Sequence, residues 1–223
     1  FRNNTPQALA ESLEEMQKLL KETQILALAG GFSAGDEPDG SGKFIANVIR
    51  EQRIAEEVMN LLKNRDGLVL GICNGFQALI KTGLVPYGEI KGPSEEMPTL
   101  TFNKIGRHIS RVVRTRMVSA TSPWANDPTI LEAKTHLVPI SHGEGKFIAS
   151  DELVKTLSKN GQIMTQYVDF NDNATMDIAF NPNGSISAIE GILSPDGRVF
   201  GKMGHSERKG YGLYKNVLGN YDM

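Results

Sequence analysis

Residues 67–79 read GLVLGICNGFQAL. An apolar run from Gly67 to Ile72 meets the chain's only cysteine, Cys73, and then Phe76, Leu79 and Ile80 recur at helical spacing. This predicts a buried strand turning sharply into a helix that Gly83 closes. Gly71 and Gly75 flank the turn as G-x-C-x-G, the outline of a nucleophile elbow. On such a turn the side chain is presented outward, and the N–H groups opening the helix can stabilise a thiolate or an oxyanion. Taken alone, the pattern leaves a second reading equally open, a cysteine packed as a small buried hydrophobe.

Upstream, Thr5-Pro6 is a helix start, and Leu9, Leu13, Met16 and Leu20 continue it. The run Gln24–Ala29 ends in Gly30-Gly31, as a buried strand entering a tight loop would. Phe44, Val48, Ile49, Ile54, Val58, Leu61 and Leu62 mark a second helical stretch. Helix, strand, helix, strand, helix predicts an α/β architecture: a parallel sheet with helices on both faces and a ligand beyond the carboxyl ends of its strands. Both glycine-rich turns lie at such ends. After Pro86 the chain is strand-rich, with alternation over 99–119 and strand-like runs at 136–140, 163–170 and 198–203. Residues 151–157 suit a short helix, and turns at Asn181–Gly184 and Ser194–Gly197 bracket a strand at 186–189.

The 223 residues are 39% hydrophobic and 22% charged, enough for one compact domain, residues 1–223. Twenty-four basic residues against 26 acidic ones give a charge of −2, no field to draw in nucleic acid or anionic lipid. No apolar run approaches the roughly 18 residues of a membrane span and no signal peptide is visible, so a cytoplasmic setting is expected. One cysteine permits neither an internal disulfide nor a thiolate metal cluster, and no metal site is expected.

A thiol nucleophile needs a base and a group to orient it. In GHSER (204–208), His205 and Glu207 stand two apart after a strand, which fits a Cys/His/Glu triad or an ordinary solvated pair. His142, in Ser141-His-Gly-Glu-Gly145, is the rival base, whereas His108 and His136 lie within strand-like runs and read as structural. The glycine-rich loop AGGFSAGDEPDGSGK (29–43) lacks phosphate-loop spacing, because Phe44 follows Gly42-Lys43. Arg107, Arg111, Arg114 and Arg116 fit a solvated strand face, or a contact to a phosphorylated substrate or another domain.

In this order, AGGFSAGD, GICNGFQ, SHGEGKF, NPNGS and GHSER resemble the glutaminase domain of phosphoribosylformylglycinamidine synthases, purine-biosynthesis members of the class I, triad-type glutamine amidotransferases. The resemblance covers about residues 1–210. It implies a flavodoxin-like class I glutaminase fold with a mostly parallel central sheet. Cys73 would be the nucleophile, His205 the general base and acid, and Glu207 its orienter. Gly31, Phe32 and Asn74 would form the oxyanion hole, and Gln77, Ser141, His142 and Gly143 would bind L-glutamine, which makes His142 a binding residue. Asp36 matches a loop acid of less defined part. No cofactor is implied in this domain, with ATP and magnesium held by a synthetase domain of the same or a partner chain. Two departures stand out. Many relatives read P-H-P-E-R where this chain has Gly204-His-Ser-Glu-Arg208, so a looser loop is expected around the histidine. Relatives also carry a strand, a helix and a further strand before the segment matching Phe1-Arg2-Asn3. The chain is therefore expected to be a piece of a longer synthetase polypeptide that in isolation folds incompletely or associates through an exposed sheet edge. Other readings are a peptidase or carbonyl-handling protein of the same fold, against which Gln77 and GHSER speak, and a catalytically silent scaffold domain.

Overall fold

The computed structural model describes residues 1–31, 42–126 and 135–208. Helix α1 (Pro6–Glu22) begins where Thr5 Oγ1 accepts the Ala8 N–H at 3.1 Å, with proline in its first turn. Strand β1 (Ile25–Leu28) follows. The second helical stretch is two helices, α2 (Lys43–Arg50) and α3 (Gln52–Asn64), broken at Glu51. Glu51 has non-helical backbone (φ −58°, ψ 132°), and its carboxylate accepts the Ile54 N–H as a cap. The break is silent in the apolar pattern because Ile49, Ile54, Val58 and Leu61 are all fully buried in one core. Strand β2 (Leu68–Ile72) runs into α4 (Asn74–Thr82), which ends at Gly83 with φ 82°.

The second half contains β3 (Thr99–Phe102), β4 (Ile109–Met117), β5 (Thr135–His142), β6 (Glu144–Ile148), α5 (Asp151–Lys159), β7 (Ile163–Tyr167), β8 (Ile189–Leu193) and β9 (Val199–Lys202). The alternating run at 99–119 is thus two strands, and they belong to different sheets. The strand expected at 186–189 starts only at Ile189, because Ser187 and Ala188 adopt positive φ (51° and 55°) in a short 3-10 turn.

Among the described residues seven strands form one sheet in the order β1-β2-β9-β8-β7-β4-β5, while β3 and β6 pair separately. Among the described strands β1, β2 and β9, which feed the candidate site, pair parallel, and the other neighbours in this sheet pair antiparallel. The sheet curls. The His205 N–H, just past β9, donates to Pro139 O of β5 at 2.8 Å, although four strand pairings separate β9 from β5.

Helix α4 lies against β1, β2 and β9 at three glycines. A Cβ on Gly71 would stand 2.5 Å from Leu79 Cδ1, one on Gly201 2.1 Å from Phe76 Cδ2, and one on Gly75 2.0 Å from Leu28 O. Phe76 and Leu79 are fully buried there, each worth about 1.5–3 kcal/mol of apolar transfer. On the opposite face Trp124 and Ala125 pack on Leu70, Phe200 and Leu193. Strand β1 is less enclosed than its apolar sequence suggests: it ends the described sheet, and Ile25 is 52% exposed.

Candidate active site

Cys73 occupies the junction of β2 and α4 with φ 52° and ψ −105°. This backbone conformation costs a non-glycine residue about 1–3 kcal/mol and is met at functional turns. Neighbours hold it there: the Cys73 N–H donates to Lys202 O of β9 at 2.8 Å, and Cys73 O accepts the Gln77 N–H at 3.0 Å within α4. The side chain is buried, with Sγ 3.8 Å from Ser141 O. Burial pushes the thiol up to about 11, against the pull of the Asn74 N–H and the positive charge of Arg208. The Asn74 N–H, first in α4, is close enough to the sulfur to favour its anionic form.

His205 is buried in the loop after β9, and its Nδ1 lies 2.6 Å from Glu207 Oε1. The carboxylate can only accept, which places the ring proton on Nδ1 and leaves Nε2 as the acceptor. Nε2 is buried and has no hydrogen-bond partner among the described residues. The imidazole of the pair is 1% exposed, while the Glu207 carboxylate is half exposed. Gly30 reports how near His205 and Cys73 lie. A Cβ added there would be 2.6 Å from His205 Cε1 and 3.2 Å from Cys73 Cβ. Its lack of a side chain, at the end of β1, leaves room for both residues; sequence reading noted this glycine only as part of a loop.

The remaining candidates fall around this centre. Ser141, at the end of β5, turns its carbonyl to Cys73, and its Oγ lies 3.1 Å from His108 Nε2. His142 is buried with Nδ1 3.0 Å from Asn103 Oδ1, and Gly143 O accepts the Asn103 N–H at 2.9 Å. Buried Gln77 donates from Nε2 to Glu144 O at 2.6 Å, joining the helix after the cysteine to the strand after Gly143. Gly31 has φ 140°, and among the described residues nothing lies within 4 Å of a Cβ placed on it. Phe32 and Asp36 lie outside the described residues.

Asn103 escaped the sequence reading, and it organises the Ser141–Gly145 segment. Its Nδ2 donates to Arg107 O and His142 O, and its Oδ1 accepts from Gly145 N. NPNGS supports the same segment from behind: Asn183 Nδ2 donates to Gly145 O, and Ser185 Oγ accepts the Phe147 N–H. A lone asparagine beside a strand carries no local signal, and only the fold supplies these partners. In the basic run, Arg114 and Arg116 are tied to the 169–172 turn, Arg114 to the Asp172 carboxylate at 2.7 Å and Arg116 to its carbonyl at 2.8 Å.

A buried cysteine at a strained strand-to-helix turn, beside an imidazole oriented by a carboxylate, is the arrangement that a thiol nucleophile of the triad type would require. Residues 3–222 match the family described as the CobB/CobQ-like glutamine amidotransferase domain, and the chain belongs to that family. Among curated relatives, phosphoribosylformylglycinamidine synthase subunit PurQ of Dehalococcoides mccartyi is 35% identical over 191 residues, spanning 85% of this chain and 69% of the relative. PurQ of Salinibacter ruber is 33% identical over 203 residues, 91% of this chain and 76% of the relative. The solved structure of PurLQS from Thermotoga maritima superposes with a TM-score of 0.60 at 30% identity, covering 83% of this chain and 69% of that one.

Proposed function

We propose that this chain hydrolyses L-glutamine to glutamate and ammonia through a Cys73 thioester, as the glutamine amidotransferase of a phosphoribosylformylglycinamidine synthase. The observation that carries the reading is His205, buried, held by Glu207 at Nδ1, unpartnered at Nε2 among the described residues, and set against Cys73 across Gly30. Similarity to relatives named as synthase subunits supports the same reading.

The chemistry follows from these groups. As Sγ attacks the side-chain amide carbon of glutamine, its proton passes to His205 Nε2 and Glu207 stabilises the imidazolium. Charge develops on the amide oxygen, for which the N–H groups of Asn74, Gly31 and Phe32 would be the donors; each such donor is worth about 3 kcal/mol. Collapse breaks the carbon–nitrogen bond while His205 returns the proton to the departing ammonia. Water, activated by the same imidazole, then releases glutamate from the thioester. Ser141, His142, Gly143 and Gln77 frame the glutamine. Ammonia passes to a synthetase partner, where ATP with magnesium drives conversion of formylglycinamide ribonucleotide to its amidine. Residues 1–223 act as one glutaminase unit.

Cys73→Ala in the assembled synthase tests this. Glutamine-dependent amidation should fall by at least about 10³-fold while ammonium-dependent amidation persists. Loss of both activities in a folded enzyme, or retention of both, would remove Cys73 from the role. Covalent labelling by a glutamine-shaped electrophile, competed by glutamine, separates this reading from a peptidase or carbonyl-handling cysteine.

A further inference from the structure

Two charged side chains are buried next to His205 without touching Cys73's chemistry. Glu190, in β8, is 1% exposed, and Lys202, at the end of β9, is 9% exposed. Removing such charges from water costs several kcal/mol each unless ion pairing repays it. Among the described residues neither belongs to an ion pair. Their hydrogen bonds go to the two residues that bracket the histidine. Glu190 Oε1 accepts the Gly204 N–H at 2.5 Å, while its Oε2 accepts from Thr165 Oγ1. Lys202 Nζ donates to Ser206 Oγ at 2.7 Å.

Backbone contacts tie the same two residues to the site. Glu190 O accepts the Met203 N–H at 3.2 Å, and Lys202 O accepts the Cys73 N–H at 2.8 Å. Lys202 thus holds the nucleophile through its carbonyl and the histidine's neighbour through its ammonium. Gly204 leaves little slack: a Cβ there would stand 2.6 Å from Val138 Cγ2 and 2.9 Å from Glu190 Oε1. With the His205 N–H on Pro139 O, every residue from Met203 to Ser206 is anchored to a strand of the curled sheet.

We propose that Glu190 and Lys202 are positioning residues for His205, gripping the chain immediately before and after it so that the imidazole stays beside Cys73 while Nδ1 stays on Glu207. The proposal rests on the reading of His205 as the general base. Displacement of a base by about 1 Å can cost about 10²-fold in rate, so grips on both flanks matter to catalysis beyond their share of stability. Glutamine binding, which draws on other residues, is untouched.

The test uses the synthase assembled with its synthetase partner, assayed for glutaminase kcat and KM across pH. Glu190→Ala should lower kcat by about 10- to 100-fold with KM within about twofold, and should shift the acid limb of the kcat profile as the His205–Glu207 contact loosens. Glu190→Gln keeps a carbonyl for the Gly204 N–H and should recover most of the rate. Because Glu190→Ala could fail to fold, Lys202→Met and the surface change Ser206→Ala provide a second arm. Both should lower kcat by similar factors, and the double variant should be no worse than either single one. Folded variants with unchanged kcat and acid limb, or a Lys202–Ser206 pair whose effects simply add, would overturn the proposal. His205→Ala separates the two levels: if it stays active the triad reading itself fails, whereas if it is dead and Glu190→Ala is active only the positioning claim falls.

Discussion

At the scale of single residues, Cys73 combines an activated geometry with a suppressed acidity. Its left-handed backbone presents the sulfur at the start of α4, yet burial pushes the thiol up to about 11. The two fit together if the unliganded site rests as neutral thiol, and proton transfer to His205 accompanies attack on the amide. Thiolate then accumulates only as pH rises toward 11. Alkylation of Cys73 by iodoacetamide in the ligand-free protein should be slow at pH 7.5 and increase about tenfold per pH unit through pH 9–10. A rate already at its plateau near pH 7 would show a preformed thiolate–imidazolium pair instead. The looser loop expected from the loss of proline on both sides of His205 meets a different finding, since Gly204 and Ser206 are each held by a buried side chain, Glu190 and Lys202.

At the scale of elements, the site depends on how closely α4 can approach β1 and β2. Gly75 permits it, because a Cβ there would lie 2.0 Å from Leu28 O, a backbone atom that no rotamer change can move. Gly75→Ala should therefore lift α4 from β1, costing about 1–3 kcal/mol in urea unfolding and altering the alkylation rate of Cys73 at fixed pH. Unchanged stability and reactivity would mean that the helix shifts freely. The strand, the cysteine turn and the helix were legible because all of their information is local: an apolar run, two glycines and helical spacing. The His-x-Glu pair was legible for the same reason. Gly30, Asn103, Glu190 and Lys202 were not, because each matters through partners distant in the chain. Asn103 meets His142 across 39 positions, and Glu190 meets Gly204 across 14. Strand β6 was hidden behind the glycines of Ser141–Gly145, and the α2–α3 break behind a continuous apolar stripe.

At the scale of the whole molecule, curling of the sheet brings β5 against the loop after β9, so the site is a seam between distant parts of the chain. His142 is a titratable group buried in that seam. Asn103 Nδ2 is spent on two carbonyls, so Oδ1 faces the ring and Nδ1 must carry the proton. Nε2 is left buried with no partner among the described residues, and a Cβ on Gly145 would lie 2.6 Å or less from three ring atoms. Burial, together with the neighbouring imidazoles of His108 and His205, brings the His142 pKa down to about 3 from an ordinary 6.5. The native state thus excludes a proton that the unfolded chain takes up between those values. Stability attributable to His142 is complete above pH 6.5 and is lost as pH falls toward 3, at about 1.4 kcal/mol per unit. By pH 4.5 the loss amounts to about 3 kcal/mol. His142→Asn keeps a neutral donor toward Asn103 but does not titrate, and it should be less stable than the parent at pH 7 for lost packing. Between pH 7 and 4.5, however, urea unfolding should show the variant losing about 3 kcal/mol less than the parent. Identical losses in the two proteins would mean that native His142 accepts the proton, and that the seam tolerates a charge where no described residue partners Nε2.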